Sequence, residues 1–195
     1  MHSVDAWCPL LRKTTLWLAR QSLEQAVLHS SRWYPAPAEI PEEMHAMGAC
    51  FVSLKQENGR LRGCIGSIEP SRPLVEDIVE NSRAAAMRDP RFQPVSPAEL
   101  AGLHISVSIL VPPEPFPVRN EADLLARLRP GIDGLVVEGP GGRRATYLPA
   151  VWEQLPDPRD FVRELRRKAG LSNVGRGEAL HYQRYQAVEI TEGGA

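Results

Sequence analysis

Hydrophobic and polar residues alternate most regularly between Leu103 and Val111, where every second side chain is aliphatic. Successive side chains of a strand point to opposite faces, so this segment predicts a strand with one apolar and one polar face. Two further strands are predicted for Ala49–Lys55 and Arg60–Ile68. Asn58-Gly59 between them is typical of a hairpin closed by a type I′ turn.

Helical periodicity is clearest in two segments. From Leu10 to Ser30 the apolar positions recur every three or four residues, which predicts a helix. A second helix is predicted from Ser71 to Asp89, because proline suits a first helical turn and disfavours helix at the residue before it. The other predicted elements are a capped turn at Ser96–Glu99, helices at Asn120–Leu128 and Asp157–Gly170, a hairpin of Leu135–Glu138 with Arg143–Leu148, and a last strand at Leu180–Ile190 with a bulge between Tyr182 and Tyr185.

This order of elements predicts an α+β fold with a mainly antiparallel sheet and flanking helices. The proline-rich segment Pro112–Pro117 is stiff and extended, and we interpret it as a boundary between two lobes of one compact domain. The predicted larger lobe contains residues 1–117 and 172–195, and the smaller lobe contains residues 118–171. We expect the binding surface to lie in a cleft between the lobes.

Composition and charge exclude several classes of function. Of the 195 residues, 43% are hydrophobic and 24% are charged, which is typical of a globular protein. The formal net charge of −1 and the absence of a basic stripe argue against a nucleic-acid partner. No apolar run approaches the roughly 18 residues that span a bilayer, and the first residues lack the uninterrupted apolar stretch of a signal peptide. We therefore expect a cytoplasmic protein without a membrane partner.

Three cysteines, Cys8, Cys50 and Cys64, are widely spaced and odd in number, which is typical of reduced thiols. The sequence has no CxxC or HxxxH pattern, so we expect no bound metal. It also lacks a phosphate-binding loop and a dinucleotide fingerprint. The sequence therefore indicates no cofactor.

The segment Leu61–Gly66 carries the most distinctive chemistry. It places Arg62 and Cys64 two residues apart, so a regular strand would direct both to one face and would bury Leu61 and Ile65 on the other. A guanidinium beside a thiol stabilises the thiolate, which is the reactive form. This face is therefore a candidate reactive or ligand-binding surface.

Three side chains are the candidate catalytic residues. Cys64 is the candidate nucleophile, Arg62 the candidate anion clamp, and His104 a candidate base from the polar face of a neighbouring strand. The alternative is that Cys64 is a small buried thiol and that His104 is a surface residue. The sequence leaves both interpretations open.

Five residues are candidates for ligand binding: Arg62, Gly63, Gly66, Asp89 and Arg91. The two glycines either admit a ligand close to the backbone or mark close packing of the chain. Arg91 lies in a tight loop and would supply a fixed charge for a small anionic ligand. We expect its guanidinium to hold no buried partner, so that removing it would cost little stability.

Several blocks of sequence, in a fixed order, carry a resemblance to a known family. They are Leu61–Gly66, Arg72–Asp77, Arg88–Phe92, Asp133–Leu135, Leu148-Pro149 with Val151-Trp152, and Lys168–Leu171. With these blocks the chain resembles, over nearly its whole length, the family of AmmeMemoRadiSam system protein A, which is also named for the human protein of the AMME-syndrome chromosomal region. The sequence departs from the family pattern at His104, Ser106, Ala150 and Arg166, where acidic residues, glutamine and cysteine are more usual.

The resemblance implies an α+β fold with a larger and a smaller lobe. Family members often lie beside, or are fused to, a Memo-like protein similar to extradiol dioxygenases, and beside a radical SAM protein, so these are the implied partners. No settled activity comes with the family. The leading hypothesis is an accessory protein or enzyme component of such a system, and the alternative is a non-catalytic binding, adaptor or regulatory module that uses the same face.

Overall fold

The computed structural model describes residues 7–171 and 180–193. Its helices are α1 (Pro9–His29), α2 (Leu74–Met87), α3 (Glu121–Arg127) and α4 (Pro158–Lys168). Its strands are β1 (Met47–Gly48), β2 (Cys50–Gln56), β3 (Leu61–Gly66), β4 (Arg72–Pro73), β5 (Leu103–Leu110), β6 (Glu114–Pro115), β7 (Gly134–Glu138), β8 (Arg144–Tyr147), β9 (His181–Tyr185) and β10 (Ala187–Thr191). The predicted α+β class with antiparallel sheets is confirmed.

The chain divides into two compact units. Unit 1 consists of the described residues up to Pro112 and from Val188 onward, and unit 2 runs from Pro113 to Ala187. None of the helices in the described ranges has the length and apolar character that crossing a membrane requires.

Unit 1 is built on a four-stranded sheet in the order β10-β5-β2-β3, so β3 is an edge strand. The regular alternation of β2 and β5 places their aliphatic side chains on one face, where Val52 and Ile105 are fully buried. Helices α1 and α2 cover this face with residues such as Leu18 and Ile78, which are also fully buried. Burial of this apolar surface holds the helices on the sheet.

The hairpin between β2 and β3 has a different turn from the predicted one. Gly59 has a φ of 79°, whereas Asn58 is not among the residues with positive φ. The Gly59 N–H donates to the Gln56 carbonyl at 2.8 Å, and the Gln56 N–H donates to the Arg60 carbonyl at 2.9 Å. The prediction of a type I′ turn is therefore wrong, because the loop has three residues and only its glycine adopts the left-handed conformation.

Unit 2 contains a second four-stranded sheet in the order β6-β9-β7-β8. Helix α4 packs its buried residue Phe161 in the core of this unit, where the ring stacks on Trp152 with centroids 3.8 Å apart. The helix begins where the Asp157 side chain accepts from the Arg159 N–H, and it is followed by Gly170 at a φ of 70°. These limits agree with the helix that the sequence predicts.

The segment predicted as one bulged strand, Leu180–Ile190, is two strands in different sheets. Strand β9 pairs with β6 and β7 in unit 2, and β10 completes the sheet of unit 1 beside β5. The slip in alternation near Tyr185 therefore marks the end of a strand, and the predicted bulge is wrong.

The boundaries of the two units differ from those of the predicted lobes for the same reason. Residues 113–117 and 180–187 lie in unit 2, although they belong to the larger lobe in the division predicted from the sequence. Both stretches contribute strands to the sheet of unit 2, and this pairing decides their place. Residues 1–6, 172–179 and 194–195 of the predicted larger lobe lie outside the described residues.

Candidate functional site

Strand β3 contains a β-bulge near the start of the motif. Gly63 and Leu61 pair with consecutive residues of β2, so Arg62 between them is an extra residue. Ile65 packs against the core of unit 1 as predicted, but Leu61 is 39% exposed. The prediction that Leu61 is buried is wrong, because the bulge interrupts the alternation of the strand.

The bulge directs Arg62 to a carboxylate in the turn that precedes β5. Its Nε donates to Glu99 Oε1 at 2.7 Å, and its Nη2 donates to Glu99 Oε2 at 3.2 Å. These hydrogen bonds are the main reason why the pKa of Glu99 falls to about 2. Within the described ranges, Arg62 Nη1 is buried without a hydrogen-bond partner. The guanidinium charge is therefore neutralised inside the protein.

Cys64 is half-buried on the face of the sheet opposite the helices. Its Sγ accepts a hydrogen bond from the Oγ of Ser53, the residue directly opposite on β2, at 3.2 Å. Its backbone N–H donates to Asp89 Oδ2 at 2.8 Å, and its carbonyl accepts from Arg91 Nη2 at 3.3 Å. Two side chains from the loop after α2 thus satisfy backbone groups of Cys64 on the edge strand.

Asp89 and Arg91 form a charged pair that is anchored on the Cys64 backbone. The Asp89 side chain is 2% exposed and accepts from Arg91 Nε at 2.9 Å and from Nη2 at 2.7 Å. The hydrogen bonds from Arg91 are the main reason why the pKa of Asp89 falls to about 2. The expectation that Arg91 holds no buried partner is therefore wrong.

The guanidinium beside Cys64 belongs to Arg91. The pKa of Arg91 is raised chiefly by its hydrogen bonds to Asp89, and Cys64 contributes to the same shift. Arg91 and Arg62 both approach the ring of Phe92, with their guanidinium carbons 5.4 and 5.8 Å from its centroid. The sequence names Arg62 as the neighbour of Cys64, whereas the guanidinium that bonds to the Cys64 backbone carbonyl is that of Arg91.

Neither glycine of the motif has room for a side chain. A Cβ added to Gly63 would lie 2.2 Å from the Ala85 carbonyl oxygen at the end of α2. A Cβ added to Gly66 would lie 2.3 Å from the ring of Phe51. Of the two interpretations that the sequence leaves open, these contacts favour close packing of the chain over access for a ligand.

His104 lies on the same sheet as Cys64 but does not reach its sulfur. It is exposed on β5 and pairs with Lys55 of β2, so a complete strand separates it from β3. Two strand spacings amount to about 10 Å, which is far beyond a hydrogen bond. The two side chains therefore cannot exchange a proton directly.

A second polar cluster, which no sequence motif indicated, surrounds Cys50. The fully buried Asp77 accepts from the Cys50 N–H at 2.9 Å and from Asn81 Nδ2 at 2.9 Å, and Ser67 Oγ donates to it at 2.8 Å. Arg72 Nε lies 3.2 Å from the same carboxylate. The sequence could have indicated this cluster, because Asp77 and Asn81 are polar residues four positions apart on the buried stripe of α2. Burial raises the pKa of Cys50 well above its usual value.

Two of the residues that depart from the family pattern are built into local networks. Ser106 is buried and its Oγ donates to Glu189 Oε1 at 2.8 Å. Arg166 donates to the Tyr182 hydroxyl and to Glu121 Oε2, both at 2.8 Å. In the described parts of the chain, no group of three or more His, Cys, Asp or Glu side chains could hold a metal ion.

Comparison with known proteins places the chain in a family. A family model described as AMMECR1 matches residues 16–190. A protein of Methanothermobacter thermautotrophicus is 38% identical over 169 residues, which cover 85% of this chain and 86% of that protein. A protein of Thermotoga maritima is 41% identical over 134 residues, covering 68% and 72% respectively.

A solved structure agrees with these matches. The crystal structure of the uncharacterised protein PH0010 from Pyrococcus horikoshii superposes with a TM-score of 0.82 at 31% identity, and the match covers 89% of this chain and 87% of that one. The resemblance in the sequence is therefore confirmed, and the chain belongs to the AMMECR1 family.

Proposed function

We propose that the protein acts by binding, as a non-catalytic accessory component of a system whose other members are a Memo-like protein and a radical SAM protein. The choice of partners is supported by family resemblance alone. The binding role is supported by one observation, which is that both arginines of the candidate site already hold carboxylates of the same chain. The three free cysteines support a reducing, cytoplasmic location.

The internal ion pairs make the site rigid. Arg62 holds Glu99 with two hydrogen bonds, and Arg91 holds Asp89 in the same forked manner. A guanidinium with a bound carboxylate has less attraction left for a thiolate or a free anion. A rigid surface with fixed charges suits recognition of a partner, because little conformational entropy is lost on binding.

The accessible part of this surface is the loop after α2. The Arg91 side chain remains 53% exposed and lies over the partly exposed ring of Phe92. Arginine and aromatic side chains are enriched at the centres of protein interfaces. We propose that this Arg91–Phe92 surface forms part of the contact with the partner.

A second candidate function is thiol chemistry at Cys64. Two contacts favour it, the hydrogen bond from Ser53 Oγ to the sulfur and the neighbouring guanidinium of Arg91. Hydrogen-bond donors and cations near the sulfur are surroundings that reactive cysteines have in other proteins. In this alternative Cys64 is a nucleophile that works without a neighbouring histidine.

The test measures the affinity of the protein for the Memo-like protein and for the radical SAM protein of the same genome by calorimetry. We expect Asp89→Asn combined with Arg91→Gln to weaken binding about tenfold or more, because it removes the exposed charge without leaving Asp89 unpaired. Cys64→Ser keeps every backbone anchor and should change the affinity less than twofold. Arg119→Ala is the control, since Arg119 is 87% exposed in unit 2.

Two results would contradict the proposal. If the protein binds neither the Memo-like protein nor the radical SAM protein, the proposed partners are wrong. An activity of the assembled system that disappears in Cys64→Ser, while the affinity stays unchanged, would establish the thiol alternative. Each variant is compared with the wild type at a temperature where thermal unfolding shows both to be fully native.

A further inference from the structure

Unit 1 contains a cavity of about 370 Å³ that none of the candidate site residues lines. Its lining residues come from the segment after α1 and from the first turn of α2: Tyr34, Pro35, Pro37, Ile40, His45, Val75 and Glu76. Its volume lies in the range of about 300–1,000 Å³ that is usual for ligand pockets. Neither the sequence motif nor the proposed function accounts for this cavity.

The floor and one wall of the cavity are apolar and fixed. Ile40 and Val75 are 8% and 6% exposed and form the floor. Tyr34 is 46% exposed, and its hydroxyl donates a hydrogen bond to Glu80, one turn beyond Glu76 on α2. Since this bond holds the ring in place, its face is available as a preformed wall.

The rim of the cavity carries an uncompensated negative charge. Glu76 is exposed and makes no ion pair or hydrogen bond with any residue in the described parts of the chain. Glu80, by contrast, is paired with Arg32 at 3.4 Å and Arg88 at 3.6 Å. Three more acidic residues, Glu39, Glu42 and Glu43, lie in the two short helical turns beside the cavity.

The charges at this end of α2 favour a cation over an anion. A helix N-terminus attracts anions, but the first turn of α2 already carries the carboxylates of Glu76 and Asp77. The first N–H group of the helix, that of Leu74, donates to the Ala46 carbonyl at 2.9 Å. His45 is the one basic side chain among the lining residues. The pKa of Tyr34 is raised chiefly by its hydrogen bond to Glu80, and the charge of Glu76 adds to this shift.

The surroundings of the cavity resemble a protein interface. Trp33 precedes the wall residue Tyr34 and packs edge-to-face on Trp17, with centroids 5.4 Å apart. Trp17 is 37% exposed, and Met47, two residues after His45, is 58% exposed. Aromatic and methionine side chains are enriched where proteins bind each other.

We propose that this cavity binds an arginine or lysine side chain on an extended segment of a partner protein. The aliphatic stem of that side chain lies over Ile40 and Val75, and its cationic head contacts the Glu76 carboxylate and the ring of Tyr34. The proposal does not depend on the function proposed for the Leu61–Gly66 motif.

The test titrates the isotope-labelled full chain with blocked tripeptides and records backbone NMR shifts. The probes are acetyl-Ala-Arg-Ala amide, the same peptide with lysine, with norleucine as an uncharged stem, and with glutamate. We expect saturable shifts at residues 40, 45, 75 and 76 with the arginine and lysine peptides, and weaker or no shifts with the other two.

Variants of the lining residues test where the cationic head of the peptide side chain binds. Glu76→Gln should weaken binding of the arginine peptide by up to about fivefold, which is the range of an exposed ion pair. Tyr34→Ala should abolish saturable binding. Glu43→Gln is the matched control, because it removes the same charge from a neighbouring turn without changing the lining, and it should change the affinity less than twofold.

Three outcomes would overturn the proposal. Equal binding of the norleucine and arginine peptides would make the cavity a purely apolar subsite. Preference for the glutamate peptide would make it an anion site centred on His45. Absence of any saturable shift with the arginine and lysine peptides, in a protein whose spectrum is native, would mean that the cavity does not bind cationic side chains.

Discussion

Cys50 and Cys64 lie on neighbouring strands, and their backbones are held in the same way. In each case the N–H donates to an aspartate, Asp77 at 2.9 Å for Cys50 and Asp89 at 2.8 Å for Cys64. In each case the carbonyl accepts from a second side chain, Asn81 at 3.2 Å or Arg91 at 3.3 Å. Helix α2 and the loop that follows it therefore attach to the sheet at two points. At each point two side chains bond to the backbone N–H and carbonyl of one cysteine, and we call each such pair of side chains a clamp.

The two clamps differ in what they leave accessible. The sulfur of Cys50 is fully buried, and the clamp on its backbone includes the neutral amide of Asn81. The clamp at Cys64 ends in a guanidinium that is half-exposed, beside a sulfur on the other face of the sheet. The same backbone geometry thus serves the core at one end of α2 and a potential recognition surface at the other.

The largest difference should appear when each aspartate is removed. Asp77→Ala leaves Arg72 and the Cys50 N–H without their buried acceptor, so we expect the free energy of unfolding to fall by about 3–5 kcal/mol. Urea unfolding at neutral pH measures this loss. Glu76→Gln, one residue earlier but exposed, should change the free energy by less than about 0.5 kcal/mol. A loss below about 1 kcal/mol for Asp77→Ala would show that water replaces the clamp.

The clamp at Cys64 should show a smaller effect that depends on pH. The pKa of Asp89 is about 2 in the folded protein against 3.8 for the ordinary group, so its carboxylate stabilises the folded state by about 2 kcal/mol above both values. A depressed pKa means that this stabilisation is complete above about pH 4 and is lost as the pH falls toward 2. The measurement is the difference in unfolding free energy between the wild type and Asp89→Asn at a series of pH values.

That difference should be about 2 kcal/mol at pH 7 and should approach zero near pH 2. Glu43→Gln, which removes an exposed carboxylate, should give a small difference across the same series. A difference for Asp89→Asn that does not change with pH would contradict the ion pair as its source.

The last comparison concerns the rates at which the three thiols react, and it involves the smallest expected change in stability. We expect iodoacetamide to react fastest with exposed Cys8, more slowly with half-buried Cys64, and with Cys50 only on unfolding, because burial both shields that thiol and raises its pKa. Mass spectrometry of peptides from a time course gives the three rates. Arg62→Gln should leave the rate at Cys64 within twofold, since its guanidinium holds Glu99.

The matching variant is Arg91→Gln together with Asp89→Asn. It should change the rate at Cys64 because it removes the neighbouring charge. If Arg62→Gln slows the labelling of Cys64 more than this double variant, the original assignment of Arg62 as the partner of the thiol is right.

Most elements of the fold could be predicted because they depend on local patterns. The stripe of α2 and the alternation of β5 are read directly from the spacing of apolar residues, and both are confirmed. The end of β9 could not be predicted in this way. Tyr185 and the residues after it all suit strands, and only the pairing with two different sheets separates them.

The candidate site shows the same division between local and non-local information. The sequence predicts that a thiol and a guanidinium lie together, because Arg62 and Cys64 are two residues apart. The bulge turns Arg62 toward Glu99, and the loop after α2 brings Arg91 to Cys64 instead. A bulge and a long-range side-chain contact leave no periodic signal, so spacing alone could not assign the right arginine.

The path of the chain has a consequence for folding during synthesis. Unit 2 is a continuous segment inserted between β5 and β10, and Ile105 of unit 1 forms backbone contact with Glu192 only after all of unit 2 has been made. While the ribosome translates unit 2, β5 is an open edge of an incomplete sheet. The sheet of unit 2 also lacks its inner strand until β9 has been made, so both units are completed only when β9 and β10 are available, although most of unit 1 is synthesised first.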